Sequence, residues 1–399
     1  MTGAAALAPV HSARQKSVQV RAFVNDQESE SVVRQAIADL GIENASITAG
    51  EVSMARALLA KQASPRLLIV DISGARDQLA SILELAEVCE PGVSVIAIGD
   101  RNDISLYRQL KNAGVAEYFF KPLVRDQLAR TCSDALNDKI EQPTLFTGKL
   151  VFMLGVRGGV GTTTLAAGAS WYMSEMRQRW TTLVDLDLQG GDAALLFDVA
   201  PGQALREAFE RPERVDKLFL ERGAIHVTNR LDLLASLEPL GSTVEGSQDA
   251  LRTLLDILLR RYRLVIVDIP TGIAAHLPEI MQMPSTCVLI GNDSLASARD
   301  MARWREHIGP NTQERRTLQV LNHTNQHRGL TEAEFARACG KALDIIIPHD
   351  RELAASVNLG IRAMQKCSLF RTGVTHVLQE VTGEPMQKPA SLFKRIFRT

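Results

Sequence analysis

The greatest concentration of chemistry in the sequence is the run Leu154-Gly155-Val156-Arg157-Gly158-Gly159-Val160-Gly161-Thr162-Thr163-Thr164. Glycines at this density let backbone N–H groups approach an anion closely, and a helix that starts at the end of the run adds its partial positive charge. An apolar strand-like stretch precedes the run and a helical one follows it, which is the context a phosphate-cradling loop requires. Gly158, Gly159, Val160, Gly161, Thr162, Thr163 and Thr164 are therefore expected to hold the phosphate tail of a nucleotide. The hydroxyl of Thr163 stands where such a loop places a Mg²⁺ ligand.

Carboxylates follow at the ends of later apolar runs. Val184-Asp185-Leu186-Asp187-Leu188-Gln189 closes one and Val265-Ile266-Val267-Asp268-Ile269-Pro270 closes another, while Asp71 ends an earlier strand-like run in the front half of the chain. One such residue at a strand end is often an ordinary cap or turn. Several in a shared order within the second half make chance unlikely there, and Asp71 belongs to a separate front domain.

The elements that would position these residues alternate along the whole chain. In the front half, strand-like Val18–Val24, Arg66–Ile72, Val93–Ile98 and Glu117–Phe120 are interleaved with helical Glu28–Leu40, Gln78–Val88, Ile104–Ala113 and Arg125–Asn137. In the second half, strands are expected at Lys149–Leu154, Thr181–Asp185, Leu264–Asp268, Thr286–Ile290, Thr317–Asn322 and Asp344–Ile347, with helices such as Ser247–Tyr262 and Leu295–His307. Alternation of this kind predicts an α/β protein with parallel sheets covered on both faces, here two doubly wound domains. The expected division is a disordered leader over 1–17, a first domain over 18–139, a linker over 140–147 containing Pro143, a second domain over 148–383 and a basic tail over 384–399. No internal repeat relates the two halves.

The loop at 154–164 resembles the deviant Walker A motif of the ParA/MinD family, which reads K-G-G-x-G-K-[ST]. Arg157 stands at the signature lysine, Thr162 at the phosphate-binding lysine, and Val156 replaces a glycine. The resemblance implies ATP and Mg²⁺ as cofactors, Asp187 as the carboxylate that orients an attacking water, and Asp268 as the Walker B residue holding Mg²⁺ through water. It further implies that Gly291–Asp300 lies near a homodimer face, that Asn322 reads adenine, and that Ile347-Pro348-His349-Asp350 walls the base. Arg157 would reach across the dimer to the partner's phosphates, since arginine can do this bidentately. The missing ammonium at position 162 removes a charge from the β- and γ-phosphates, so affinity and turnover should both fall. The alternative is a loop that keeps the fold and binds nothing.

The front domain is similar to a response-regulator receiver, with Asp71 as the possible phospho-acceptor and Gly114–Pro122 resembling the last receiver strand with its Lys121-Pro122. Asn25-Asp26 replaces the acidic pair, and Gly99 falls where a hydroxyl should meet the phosphoryl group. With metal and donor both weakened, a docking or dimerising module is expected. A receiver-like domain ahead of a deviant Walker A ATPase resembles the CpaE/TadZ proteins of tight-adherence (Flp-type) pilus systems. That resemblance implies a polar localisation factor that recruits the pilus assembly and secretion ATPase machinery. A MinD-like positioning ATPase and a phosphorylation-gated regulator are the alternatives.

Composition narrows the class. The 399 residues are 45% hydrophobic and 23% charged, with a formal net charge of −1, so no global field recruits nucleic acid and none is expected as a partner. The five cysteines are scattered without metal-ligand spacing and read as buried residues of a reducing, cytoplasmic protein. No apolar run approaches the length that crosses a bilayer. The tail Ser391-Leu392-Phe393-Lys394-Arg395-Ile396-Phe397-Arg398 is similar to the C-terminal membrane-targeting helix of MinD and could lie peripherally on the inner membrane surface. A frayed basic terminus is the other reading.

Overall fold

A computed structural model describes residues 18–60, 62, 64–90, 92–137, 148–241, 247–323, 329–356, 360–361 and 366–383. The expected leader, linker and basic tail lie outside the described residues. The chain divides into two compact units, Met1–Phe146 and Thr147–Thr399.

Five strands form the sheet of the first unit: β1 Val20–Val24, β2 Ala45–Ala49, β3 Leu67–Asp71, β4 Ser94–Gly99 and β5 Glu117–Phe120. They are all parallel, in the order β2-β1-β3-β4-β5, which is the flavodoxin-like doubly wound topology. Every residue of β3 and β4 is buried, as a central strand covered on both faces requires, and this explains their continuous apolar sequences. Helices Gln27–Asp39, Gln78–Val88 and Ile104–Asn112 each begin on an aspartate, Asp26, Asp77 and Asp103, whose side chain accepts a first-turn N–H.

Eight strands form the second sheet: β6 Lys149–Gly155, β7 Thr181–Asp185, β8 Ile225–His226, β9 Leu231–Leu234, β10 Leu264–Ile269, β11 Ser285–Gly291, β12 Arg315–Asn322 and β13 Ile345–Ile347. Their order is β13-β12-β11-β6-β10-β7-β9-β8, parallel except for the short β8–β9 pair. Two hydrophobic clusters lie on its two faces, one around Phe152, Leu254 and Phe335 and the other around Met153, Leu165 and Phe370. Strand β6, first in sequence, sits inside the sheet between β10 and β11. The order of strands therefore reverses beside it, and a parallel sheet opens a crevice at the carboxyl ends of the strands where that happens.

Helix Thr162–Trp171 starts from this crevice and is buried along Leu165–Ser170. Its Gly168 admits the helix Ser368–Thr382: a β-carbon there would come within 2.9 Å of Phe370 Cε1. A polar-faced helix could not take this central position. The alanine-rich LAAGAS run allows it.

Candidate functional site

The loop between β6 and helix Thr162–Trp171 is shaped by two left-handed glycines, Gly159 at φ 74° and Gly161 at φ 85°. Its carbonyls are tied back into the sheet. Thr271 Oγ1 donates to Gly155 O at 2.7 Å, and Asn322 Nδ2 donates to Val160 O at 2.9 Å. Val160 itself is buried, whereas nothing lies within 4 Å of where a β-carbon on Gly158 or Gly159 would sit. The outer face of the loop is thus bare backbone beside a helix N-terminus, a surface suited to an anion.

A cleft of about 470 Å³ opens over this loop. Arg157, Gly158, Gly159, Gly161, Thr162, Thr163 and Thr164 line one side, and Asp187, Asp192, Asp268 and Thr271 line the other. The structure brings together all the residues expected around the phosphates except Val160, whose side chain turns inward while its carbonyl anchors the loop.

The carboxylates are positioned by strand register. Asp268 on β10 pairs with Asp185 on β7, so the two stand side by side at the sheet's carboxyl edge. Asp185 is buried and accepts from the backbone N–H groups of Asp187 at 3.1 Å and Ala193 at 3.2 Å. Burial pushes its carboxyl up to about 6, against those two N–H groups and with the repulsion of Asp187 and Asp192. Burial likewise pushes Asp268 up to about 7; the Thr163 hydroxyl bonded to it opposes the shift, and the charges of Asp185 and Asp187 reinforce it. Asp187 is held at the mouth of the cleft by the Gly190 N–H, 2.9 Å from its Oδ1. Gly191 has no room for a side chain, since a β-carbon would fall 2.5 Å from both Asp185 Oδ2 and Asp187 O.

The donor set fits a hydrated divalent cation. Asp268 and the Thr163 hydroxyl are already in contact, and a cation would offset the burial that chiefly raises both carboxyls, together with their mutual repulsion. The bare glycine backbone beside them fits phosphate oxygens.

Arg157 is engaged within its own chain. Its Nη1 lies 2.7 Å from Asp300 Oδ2, and Asp300 also accepts from Arg299 Nε at 2.9 Å. The expected reach toward a second copy would have to break that contact. Asn322 and Pro348 line a second, adjoining cleft of about 140 Å³ with His323, Ile347, His349 and Phe370. The two clefts share Gly161 and Thr164. Asp350, expected in the wall of the base site, also builds structure: its carboxylate accepts from Glu352, Leu353, Leu369 and Phe370 N–H groups at 3.0–3.3 Å, fixing two helix starts. Sequence reasoning missed Gly190, Gly191, Asp192 and Thr271, which carry no spacing signal of their own.

In the first unit, Asp71 ends β3 fully buried. Its Oδ2 accepts from Asn25 N–H at 3.1 Å and from Lys121 Nζ at 2.7 Å, and its Oδ1 accepts from Ser73 N–H at 3.0 Å and from the Ser73 hydroxyl. Lys121 Nζ also lies 2.7 Å from Asp26 Oδ2. Burial works against the charge on Lys121, but the two carboxylates outweigh it and hold the ammonium above its usual range.

No family model matches the chain, and no curated protein does. Among solved structures it is similar to a ParA family ATPase from Chlorobium tepidum, at 20% identity and a TM-score of 0.50 over 57% of this chain and 96% of that one. A pilus assembly protein CpaE from Caulobacter crescentus is 33% identical over 29% of this chain and 95% of that one, with a TM-score of 0.27. The septum site-determining protein MinD of Pyrococcus horikoshii, in complex with Mg-ADP, is 18% identical over 59% of this chain and 96% of that one, with a TM-score of 0.48. The first of these likenesses shows the fold alone: the parallel α/β architecture of the second unit is that of a ParA-type P-loop protein.

Proposed function

We propose that the chain is an ATP-binding localisation and assembly factor of a tight-adherence (Flp-type) pilus secretion system, closing into a homodimer around Mg-ATP with weak or absent hydrolysis. The observation that carries the nucleotide reading is the anion-ready loop facing Asp268 and Thr163 across one cleft, with a hydroxyl at position 162 in place of an ammonium. The pilus role rests on the sequence resemblance of a receiver-like unit followed by a deviant Walker A unit.

In this reading the N–H groups of Gly158–Thr163 bind the phosphates, Thr163 and Asp268 hold Mg²⁺, and Asn322 and Pro348 border the base. Bound Mg²⁺ supplies the charge neutralisation that the loop lacks. Asp187, at the mouth of the cleft, orients water, and Arg157 serves the neighbouring copy once released from Asp300. Without the ammonium at 162 the transition state loses a stabiliser worth several kcal/mol in ordinary P-loops, so the bound state outlives turnover (roughly 10²-fold or more slowing). Asp71, bonded to Asn25, Ser73 and Lys121, is a possible phospho-acceptor, weakened because Asn25 and Gly99 stand where the resemblance calls for an acid and a hydroxyl. The first unit acts as a docking module, and the tail 384–399 offers peripheral contact with the inner membrane.

Calorimetric titration with Mg-ATP, paired with sedimentation to read mass, tests this. Binding with a shift to dimer supports it, whereas silence in both leaves only a scaffold. Normal Flp-type pili in a strain lacking the chain would remove the pilus role.

A further inference from the structure

Cations that are scattered along the sequence meet at the amino edge of the second sheet, the end opposite the cleft. Lys149 begins β6, Arg263 immediately precedes β10, Arg230 immediately precedes β9, and the buried Arg179 stands two residues before β7. These strands are neighbours in the order β6-β10-β7-β9. The backbone joins their starts directly: Lys149 N–H donates to Arg263 O at 2.9 Å, Arg263 N–H to Trp180 O at 2.8 Å, and Thr181 N–H to Arg230 O at 2.9 Å. No acidic residue begins any of them. Arg260, exposed in the last turn of the helix Gln248–Arg261, extends the row, since Gly148 N–H donates to Leu259 O beside it. Arg260 and the half-buried Arg263 have no hydrogen-bond or ion-pair partner among the described residues.

Arg230 and Lys149 donate to carbonyls at or just past helix ends, those of Gln178 and Thr382. Such contacts use donors without cancelling the charge, because a helix C-terminus carries only about half an elementary charge. The bond to Thr382 also brings the end of the helix Ser368–Thr382 to this edge. Beyond Gly383 the sequence carries Lys388, Lys394, Arg395 and Arg398, with Leu392, Phe393, Ile396 and Phe397 among them.

We infer that the amino edge of the second sheet is itself a docking face for an anionic lipid surface, its cations meeting headgroup phosphates beside the tail. The inference adds a folded contact to the tail contact proposed above and stands on different residues. Guanidinium groups are permanently charged and match phosphate oxygens bidentately. The apolar residues among the tail cations suit a headgroup–acyl boundary rather than a phosphodiester backbone, so lipid is the partner that fits edge and tail together. Orientation follows from the strands. Strand β6 runs about 20 Å from Lys149 to Gly155, so with its amino edge on a bilayer the second unit opens its nucleotide cleft away from the membrane.

The test is sedimentation of the full chain with vesicles of phosphatidylcholine alone or with roughly one-third phosphatidylglycerol. Wild type is expected to partition onto the anionic vesicles and not onto the neutral ones. Each lost edge cation should lower the partition coefficient about fivefold, so Arg260→Gln and Arg263→Gln together should lower it roughly 25-fold, with the melting temperature unchanged. Arg252→Gln removes the same charge from the same helix about 12 Å nearer the carboxyl edge, and should leave partitioning within about twofold of wild type. Phe393→Asp with Ile396→Asp disables the tail for comparison. If R260Q/R263Q partitions like wild type while the tail variant stays in the supernatant, all lipid contact belongs to the tail and the inference is overturned, with the tail reading left standing. An equal loss in R252Q reduces the effect to net charge and overturns it too. Wild type that binds a short DNA duplex but no vesicle assigns the edge to nucleic acid instead. Wild type that binds neither overturns this inference and the tail contact together.

Discussion

The ring of Tyr118 occupies the space that a side chain at position 99 would need: a β-carbon on Gly99 would lie 2.8 Å from Tyr118 Cε2 and closer still to the hydroxyl. Tyr118 is itself nearly buried, and its hydroxyl donates to Arg101 O at 2.7 Å. Gly99→Thr, which restores a hydroxyl residue at the end of β4, should therefore either expel the ring or strain the strand. Overpacking of this kind costs about 1–3 kcal/mol. Thermal unfolding of G99T and of the G99T/Y118A pair checks this: the double variant should recover part of the loss, and additive losses would show that the two positions do not compete for one space.

The ammonium of Lys121 joins the carboxylates of Asp26 and Asp71, which lie beyond β1 and at the end of β3. Removing it in Lys121→Met leaves Asp71 buried without its cation, a loss of about 3 kcal/mol. The pH dependence has two edges. Burial tends to raise Asp26, but the Lys121 bond prevails and lowers it, so its contribution is present above the ordinary carboxylate range and disappears as pH falls through the folded value. Lys121 is raised, so its contribution is complete below the ordinary lysine value and disappears only as pH climbs through the higher folded one. Stability of the first unit should be level through neutral pH and fall at both extremes. Chemical denaturation across a pH series should show K121M flatter at both ends.

Asp300 holds Arg157 in a half-exposed ion pair, so Asp300→Ala should change stability by less than about 1 kcal/mol. Its effect on assembly should be larger. Freed from its own chain, Arg157 is available to a second copy, and the mass shift with Mg-ATP should occur at lower protein concentration in D300A and fail in R157A. Identical sedimentation of both variants would show that Arg157 plays no part across the dimer.

Asp187 accepts from the N–H groups of Gly190 and Gln189 at the mouth of the cleft. If it orients water, Asp187→Ala should reduce any measurable phosphate release by at least about tenfold while leaving Mg-ATP affinity nearly unchanged. Single-turnover assays separate the two quantities. Unaltered turnover would assign Asp187 to loop geometry alone.

Asp350→Ala removes one carboxylate that satisfies four backbone N–H groups at two helix starts. The buried Phe370 N–H would be left without its partner and three partly buried ones would lose theirs, a cost of about 1–3 kcal/mol. A melting temperature equal to wild type would contradict the role read from its hydrogen bonds.

Both sheets were legible because their central strands are continuous apolar runs, as in Leu67–Asp71 and Leu264–Ile269, bounded by helices with alternating faces. Strand β2, Ala45–Ala49, was not, because it is an edge strand with no fully buried residue and so shows no apolar contrast. The pair β8–β9 was hidden by brevity. At the site, Thr163 and Asp268 could be read from the order of motifs along the chain. The tether of Arg157 to Asp300 could not, since 143 residues separate them. Asp293 is instructive in the same way. Its carboxylate accepts the Gly329 N–H at 3.0 Å and lies 3.4 Å from His323 Nδ1, a long-range clamp that local sequence does not announce.

The two side chains that tie back the carbonyls of Gly155 and Val160 come from Thr271, just after β10, and Asn322, at the end of β12, either side of the loop. The mould for an anion is consequently finished before the anion arrives, and docking freezes little additional backbone motion. Rigidity can thus partly offset, through entropy, the attraction forfeited with the missing ammonium. Softening either tie should weaken the grip on phosphate without touching a single phosphate-facing atom.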